Sequence, residues 1–341
     1  MNRQRSRARL RNLGLGAAIL LAGGIAFKLW ERAELSKLQK YMSHPAHDYE
    51  EALARFEQIR TREETDPHIR PICRSVLLTH GKQVDSVFVL MHGMTNCPHQ
   101  YAQLAPLLFE QGHNVLIPRM PHNGFVDRDT KALKYLTAEE LRDSSSEMID
   151  LAHGLGKHIT FAGISAGGTM AAWAAQNRAD VDRAVLIAPA FTFSRRAGVE
   201  VTRLAMHLFD SLPNLMTQRV MPIKEGPFYN YFGFATHGLG QMIRLGLAVY
   251  DAAGREAPVA PSVVVITNAA DPAVNNAITH RLARRWRAYG EARVTSYEFA
   301  ATYDLIHDII DPLQKQQQTA LVYPTLLKLL APEQQTALPV N

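Results

Sequence analysis

Cysteine is almost absent from this chain: among 341 residues only Cys73 and Cys97 occur. Neither belongs to a Cys-x-x-Cys pair or another close ligand spacing, which argues against a metal site. Low-complexity tracts and internal repeats are also missing, so nothing points to a solenoid or a disordered scaffold. A basic surface for nucleic acid is missing too. The formal net charge is +5, but Arg3, Arg5, Arg7, Arg9 and Arg11 supply that excess, and the remainder of the chain is neutral. What remains is an ordinary globular composition, 47% hydrophobic and 20% charged, long enough for one large domain with an insertion.

The arginines precede an apolar, Gly- and Ala-rich run from Leu13 to Phe27, interrupted by Lys28 and followed by Leu29 and Trp30. A basic flank followed by such a run has the layout of a membrane anchor or a secretion signal. The run is short for a span of ~20 residues, although Lys28 could snorkel and Trp30 could sit at the interface. Residues 1–30 are read as an anchor. The arginines then stay cytoplasmic, and the rest of the chain is exported to the periplasm or outside. The alternative is secretion after cleavage, with Gly24 and Ala26 as the small residues at −3 and −1. Export favours a disulfide between Cys73 and Cys97, closing a loop of about 25 residues; two buried thiols are the alternative.

Residues 31–70 are highly charged. Tyr49, Leu53, Phe56 and Ile59 recur at helical spacing, so a connector helix is expected over 48–64, packed on the main domain or standing as a solvated stalk. Strands and helices then alternate through residues 71–191 and 262–335. Apolar runs mark strands at 86–91, 114–118, 159–162, 184–188, 262–267 and 293–299. Helices are expected over 99–111, from the Thr137/Glu140 capping box to about 151, and over 166–177, 274–289 and 309–330. Such alternation predicts an α/β fold, a mainly parallel sheet flanked by helices, with binding residues at the carboxyl ends of the strands. Residues 192–261 carry two helical stripes, Leu204/Ala205/Leu208/Phe209 and Met242/Ile243/Gly246/Val249, and read as a helical cap.

Gly163-Ile164-Ser165-Ala166-Gly167 fits G-x-S-x-G, with an apolar strand entering it and a helix leaving it. That context makes Ser165 a candidate nucleophile on a strained strand-to-helix turn, with the Ala166 N–H as an oxyanion donor. A serine hydroxyl needs a base, and the base needs an orienting acid. In the chain order Ser, acid, His, Asp271 follows the strand at 262–267 and His307 follows the last strand; no later histidine exists. Asp304, Asp308, Asp311 and Glu298 are rival acids, and Asp271 could instead be a helix N-cap. The second oxyanion donor is expected from Met94, in His92-Gly93-Met94-Thr95 after the first core strand, with His92 bracing that loop.

Four segments together resemble bacterial carboxylesterases and monoacylglycerol-lipase-like α/β hydrolases. They are His92-Gly93-Met94-Thr95-Asn96-Cys97-Pro98, Pro118-Arg119-Met120-Pro121-His122-Asn123-Gly124, Gly163-Ile164-Ser165-Ala166-Gly167-Gly168 and Leu305-Ile306-His307-Asp308. The resemblance covers about residues 85–330 apart from the cap. It implies an α/β-hydrolase fold, Ser165, Asp271 and His307 as triad, and Met94 and Ala166 as oxyanion donors. Asn123 departs from it, standing where many relatives carry histidine. The expected activity is hydrolysis of acyl esters, lipid-like ones included, without metal or organic cofactor. A peptidase, thioesterase or acyltransferase would use the same triad, and a non-catalytic, membrane-anchored binding protein is the reading from another class. Oligomeric state is not legible.

Overall fold

The structure, a computed structural model, describes residues 22–217, 226–290 and 292–331. Most of the apolar run Leu13–Phe27 therefore lies outside the described residues. From residue 22 to 36 the chain is helical (α1), and no helix among the described residues is long and apolar enough to cross a membrane.

The connector forms α2 (Tyr49–Thr65), opened by the Asp48 carboxylate, which accepts from the Glu51 N–H. Its Ala52 and Phe56 are buried, so it packs on the domain rather than standing as a stalk. The domain is built on a seven-stranded sheet. Its strands are β1 (Val76–Leu78), β2 (Val84–Met91), β3 (Asn114–Ile117), β4 (Gly156–Ile164), β5 (Arg183–Ile187), β6 (Ser262–Asn268) and β7 (Arg293–Phe299), in the order β1-β3-β2-β4-β5-β6-β7. β1 runs antiparallel to β3 and every other pairing is parallel.

The continuous apolar runs have the reason expected for central parallel strands: both faces are covered. In β2, Val87, Val89 and Met91 enter the core on one side of the sheet, and Phe88 and Leu90 enter the core on the other. The first core holds α4 (Ala138–Leu155), α5 (Ala166–Asn177) and α8 (Asn276–Arg287); the second holds α3 (Leu104–Glu110) and α9 (Thr319–Leu330). α4 opens with the expected capping box, with Thr137 and Glu140 each bonded to the other's backbone.

Three helical boundaries differ from the sequence expectation. The helix expected over 99–111 is two pieces, a 3₁₀ turn at Pro98–Tyr101 and then α3. α8 starts at Asn276 because the Asn275 side chain caps the Ala277 N–H. The terminal helix starts at Thr319, not 309. Residues 309–318 turn instead, since Asp308 and Asp311 accept from the N–H groups of Asp311 and Leu313, and Pro312 has none to offer.

The cap is α6 (Val199–Ser211) and α7 (Thr236–Ala252), inserted between β5 and β6. α7 buries its whole predicted stripe. α6 does not: Thr202, Ala205 and Met206 turn inward, while Leu204 and Leu208 face out.

Cys73 and Cys97 are joined in a disulfide 24 residues apart in sequence, packed with Tyr229 of the cap segment. The bridge ties the chain before β1 to the loop after β2. Cross-linking at that separation is worth about 3 kcal/mol. Replacing both cysteines (Cys73→Ser, Cys97→Ser) should lower the urea midpoint by a loss of about that size; an unchanged midpoint would show that packing alone holds this corner.

Candidate active site

Ser165 sits between β4 and α5 with φ 58° and ψ −116°, a left-handed conformation that a serine adopts only under constraint, at a cost of about 1–3 kcal/mol. The constraint is visible. The Ser165 N–H donates to Ile187 O, and its own carbonyl accepts from the N–H groups of Thr169 and Ala190. The flanking glycines are required by contact: a Cβ on Gly163 would lie 2.2 Å from Gly167 O, and one on Gly167 would lie 2.1 Å from Met91 O. Strand, turn and helix are thus pressed together, with the serine at the carboxyl end of a central strand.

Asp271 and His307 are brought together from the ends of β6 and β7. His307 Nδ1 lies 2.7 Å from Asp271 Oδ2. The other carboxylate oxygen accepts from the N–H groups of Ala273 and Val274, which holds the acid rigidly in its turn. Burial opposes ionisation of Asp271, but the bond to His307, its charge and those two N–H groups outweigh it and lower the pKa. For His307, burial favours the neutral ring; the hydrogen bond and charge of Asp271, with the charge of Asp308, outweigh burial and raise the pKa. Among the described residues no hydrogen bond joins Ser165 Oγ to His307, although both line one cavity; such contacts commonly tighten only with substrate in place.

The rival acids have other partners. Glu298 accepts from Thr267 and lies 3.0 Å from the His280 ring. Asp304 is exposed. Asp308 accepts from the amides of Asn96 and Gln314, and Asp311 from the Tyr229 hydroxyl. Burial and the neighbouring charge of Asp308 push Asp311 up to about 7. Asp271 does not cap α8, whose N-cap is Asn275.

The His92–Thr95 loop stands beside the serine: a Cβ on Gly93 would lie 3.7 Å from Ser165 Cβ. His92 is fully buried, its Nδ1 2.8 Å from Gly93 O and its Nε2 accepting from the Met120 N–H, and burial lowers its pKa to about 4. It braces the loop as a neutral ring. The Gly93 N–H is engaged by Gln100 Oε1, whereas the N–H groups of Met94 and Ala166 have no acceptor among the described residues. Sequence reasoning missed the side chains that hold this loop. Asn123 donates through Nδ2 to Met94 O at 2.5 Å and Asn96 O at 3.1 Å, and Asn96 reaches across to Asp308. No local pattern signals them, because each contact joins segments far apart in the chain.

Above the serine lies a cavity of about 520 Å³. Met94, Phe193, Phe234, Leu239, Met242 and Val274 give it apolar walls, and amide side chains such as Asn230 and Gln314 complete it. No cluster of metal-ligating side chains occurs among the described residues.

A parallel sheet carrying a strained serine turn and a bonded Asp–His pair at its strand ends defines an α/β-fold serine hydrolase. The chain belongs to the family described as serine aminopeptidase, S33 (Hydrolase_4), which matches residues 82–310. No curated protein matches it. Solved structures share its fold at low identity. One from work on LipS and LipT, two metagenome-derived lipolytic enzymes, is 15% identical with a TM-score of 0.56, covering 77% of this chain and 98% of that one. A monoacylglycerol lipase of Paleococcus ferrophilus is 17% identical with a TM-score of 0.55, covering 75% and 97%. A soluble variant of the Saccharomyces cerevisiae monoglyceride lipase, in complex with a substrate analog, is 13% identical with a TM-score of 0.57, covering 75% and 89%.

The pKa values of His307 and His92 should be displaced in opposite directions. In an NMR titration of the imidazole protons, His307 should have a midpoint above 6.5 that falls in Asp271→Asn. His92 should stay neutral down to about pH 4.

Proposed function

We propose that the protein hydrolyses carboxylic acyl esters through an acyl-enzyme on Ser165. The observation that carries the reading is the His307–Asp271 bond at the end of a cavity that also holds Ser165 on its strained turn. His307 Nε2 takes the hydroxyl proton as Ser165 Oγ attacks the carbonyl carbon. The oxyanion is held by the N–H groups of Met94 and Ala166, one such donor being worth about 3–4 kcal/mol. Collapse expels the alcohol, protonated by His307. A water deprotonated by His307 then attacks the acyl carbon, and the acid leaves Ser165.

Esters are favoured over peptides with a free amino terminus by the cavity's charge. An α-ammonium needs a free carboxylate, and the one acid among the lining residues described, Asp308, is half-buried, raised in pKa by desolvation, and already accepts from Asn96 and Gln314. The apolar walls suit an acyl chain. The protein acts from the outer face of the cytoplasmic membrane, anchored by its first 30 residues. The arginine flank and the Cys73–Cys97 bridge support this, since such bridges persist in oxidising compartments.

A fluorophosphonate probe should label the wild-type protein and not Ser165→Ala. Unlabelled wild type, or a labelled variant, would leave a non-catalytic binding protein as the better reading. Against p-nitrophenyl esters of increasing chain length and an aminoacyl p-nitroanilide, the esters should be turned over; hydrolysis of the anilide alone would overturn the proposal. Because His307 must be neutral to act as base and its pKa is raised, kcat/KM should fall on the acid side with a midpoint above 6.5.

A further inference from the structure

The outside of the cap carries a ribbon of large apolar side chains that nothing among the described residues covers. On α6, Val201, Leu204 and Leu208 recur at three- and four-residue spacing opposite the buried Thr202, Ala205 and Met206. Leu212 and Leu215 continue the ribbon beyond the helix; Leu204 is 61% exposed and Leu215 63%. Adjacent exposed apolar residues in this number mark a binding face.

α1 lies against α6. The buried Glu31 accepts from Arg203 Nη1 at 2.9 Å and pairs with His207 Nε2 at 2.8 Å, and Arg203 also pairs with Asp251 of α7. The His207 ring packs 5.0 Å from Phe27 and 6.1 Å from Trp30. α1 contributes nothing to the cavity; its contact is with the cap. It exposes apolar residues of its own, Ile25, Leu29 and Trp30.

What covers this face is indicated by what adjoins it. α1 continues directly from the apolar run that begins at Leu13 behind five arginines. Arg195 and Arg196 are exposed in the turn leading into α6, while the exposed acids of that helix are Glu200 and Asp210. An apolar face preceded by two exposed arginines and joined, through α1, to the run proposed above as an anchor fits a bilayer surface, and the docking rests on that proposed anchor. We propose that the α1–α6 face rests on a lipid bilayer, with the Glu31 contacts holding the cap to the membrane-leading helix. α6 also adjoins the cavity on its inner side: half-buried Phe209 meets Phe193 edge-on at 6.0 Å, and Phe193 lines the cavity while remaining 36% exposed. That last link, entry of a membrane-borne ester beneath the cap, rests on the proposed ester hydrolysis; the docking itself does not.

The full chain, reconstituted in vesicles of phosphatidylcholine and phosphatidylglycerol, tests it with a reporter outside the anchor. Trp173 and Trp286 are fully buried, so in Trp30→Phe, Leu208→Trp the exposed fluorophore is the introduced one. Brominated phospholipids should quench it. Unquenched emission, with the domain tethered but standing off, overturns the proposal. So does emission that depends on protein concentration but not on bromination, which would make the face a contact between two copies. In a second arm, Leu204→Gln, Leu208→Gln, Leu212→Gln should leave a soluble short-chain ester unaffected and slow a vesicle-embedded ester about tenfold, as expected when three leucines lose partial immersion. Quenching without turnover of either ester would count against the ester reading alone.

Discussion

The close approach of β4, α5 and the end of β2 around Ser165 is the constraint on which the rest of the structure depends. Gly163 and Gly167 have backbone oxygens where a Cβ would stand, so the turn can exist only with glycine at both places. The left-handed serine between them is held by hydrogen bonds to β5 and to the chain just beyond it, not by local preference. Strain of that kind persists only where surrounding structure over-determines it. Here the surround is a sheet buried on both faces, and that explains why the central strands are almost entirely apolar.

Around that turn, four loops from different strand ends are tied to one another by polar side chains. Asp271 bonds His307; Asn96 bonds Asp308 beside it; Asn123 bonds the backbone of the loop that carries Met94. The disulfide fastens the same loop to the segment before β1. These groups are buried or half-buried, so losing one partner would leave the other with a poorly solvated, unsatisfied charge or dipole. The loop geometry is therefore held by cross-chain bonds whose members have no independent reason to sit where they do.

The cap is joined to this assembly differently. α7 buries a full apolar stripe and behaves as an extension of the core, while α6 divides itself between the core, α1 and an unprotected outer face. A carboxylate, a guanidinium and an imidazole meet at the α1–α6 contact, Glu31 pairing with both Arg203 and His207. α1 is thereby tied to α6 and, through Arg203 and Asp251, to α7.

Much of this was legible in the residues alone, for local reasons. G-x-S-x-G, strand-helix alternation and the Thr137/Glu140 capping box are short-range patterns, each set by sterics or hydrogen bonding within a few residues, and the order Ser165, Asp271, His307 along the chain supplied the candidate base and acid. Apolar periodicity also located both cap helices but misjudged which side of α6 is buried, since a stripe records amphipathicity and not what lies against it. Finding the partners that occupy the rival acids, assigning work to Asn96 and Asn123, and placing α1 on the cap required the tertiary structure. Those facts are contacts between residues tens to hundreds of positions apart, and no local propensity encodes them. Sequence determined the chemistry available and the order of its parts; folding decided which parts meet, because desolvation and partner geometry exist only once the chain has closed on itself.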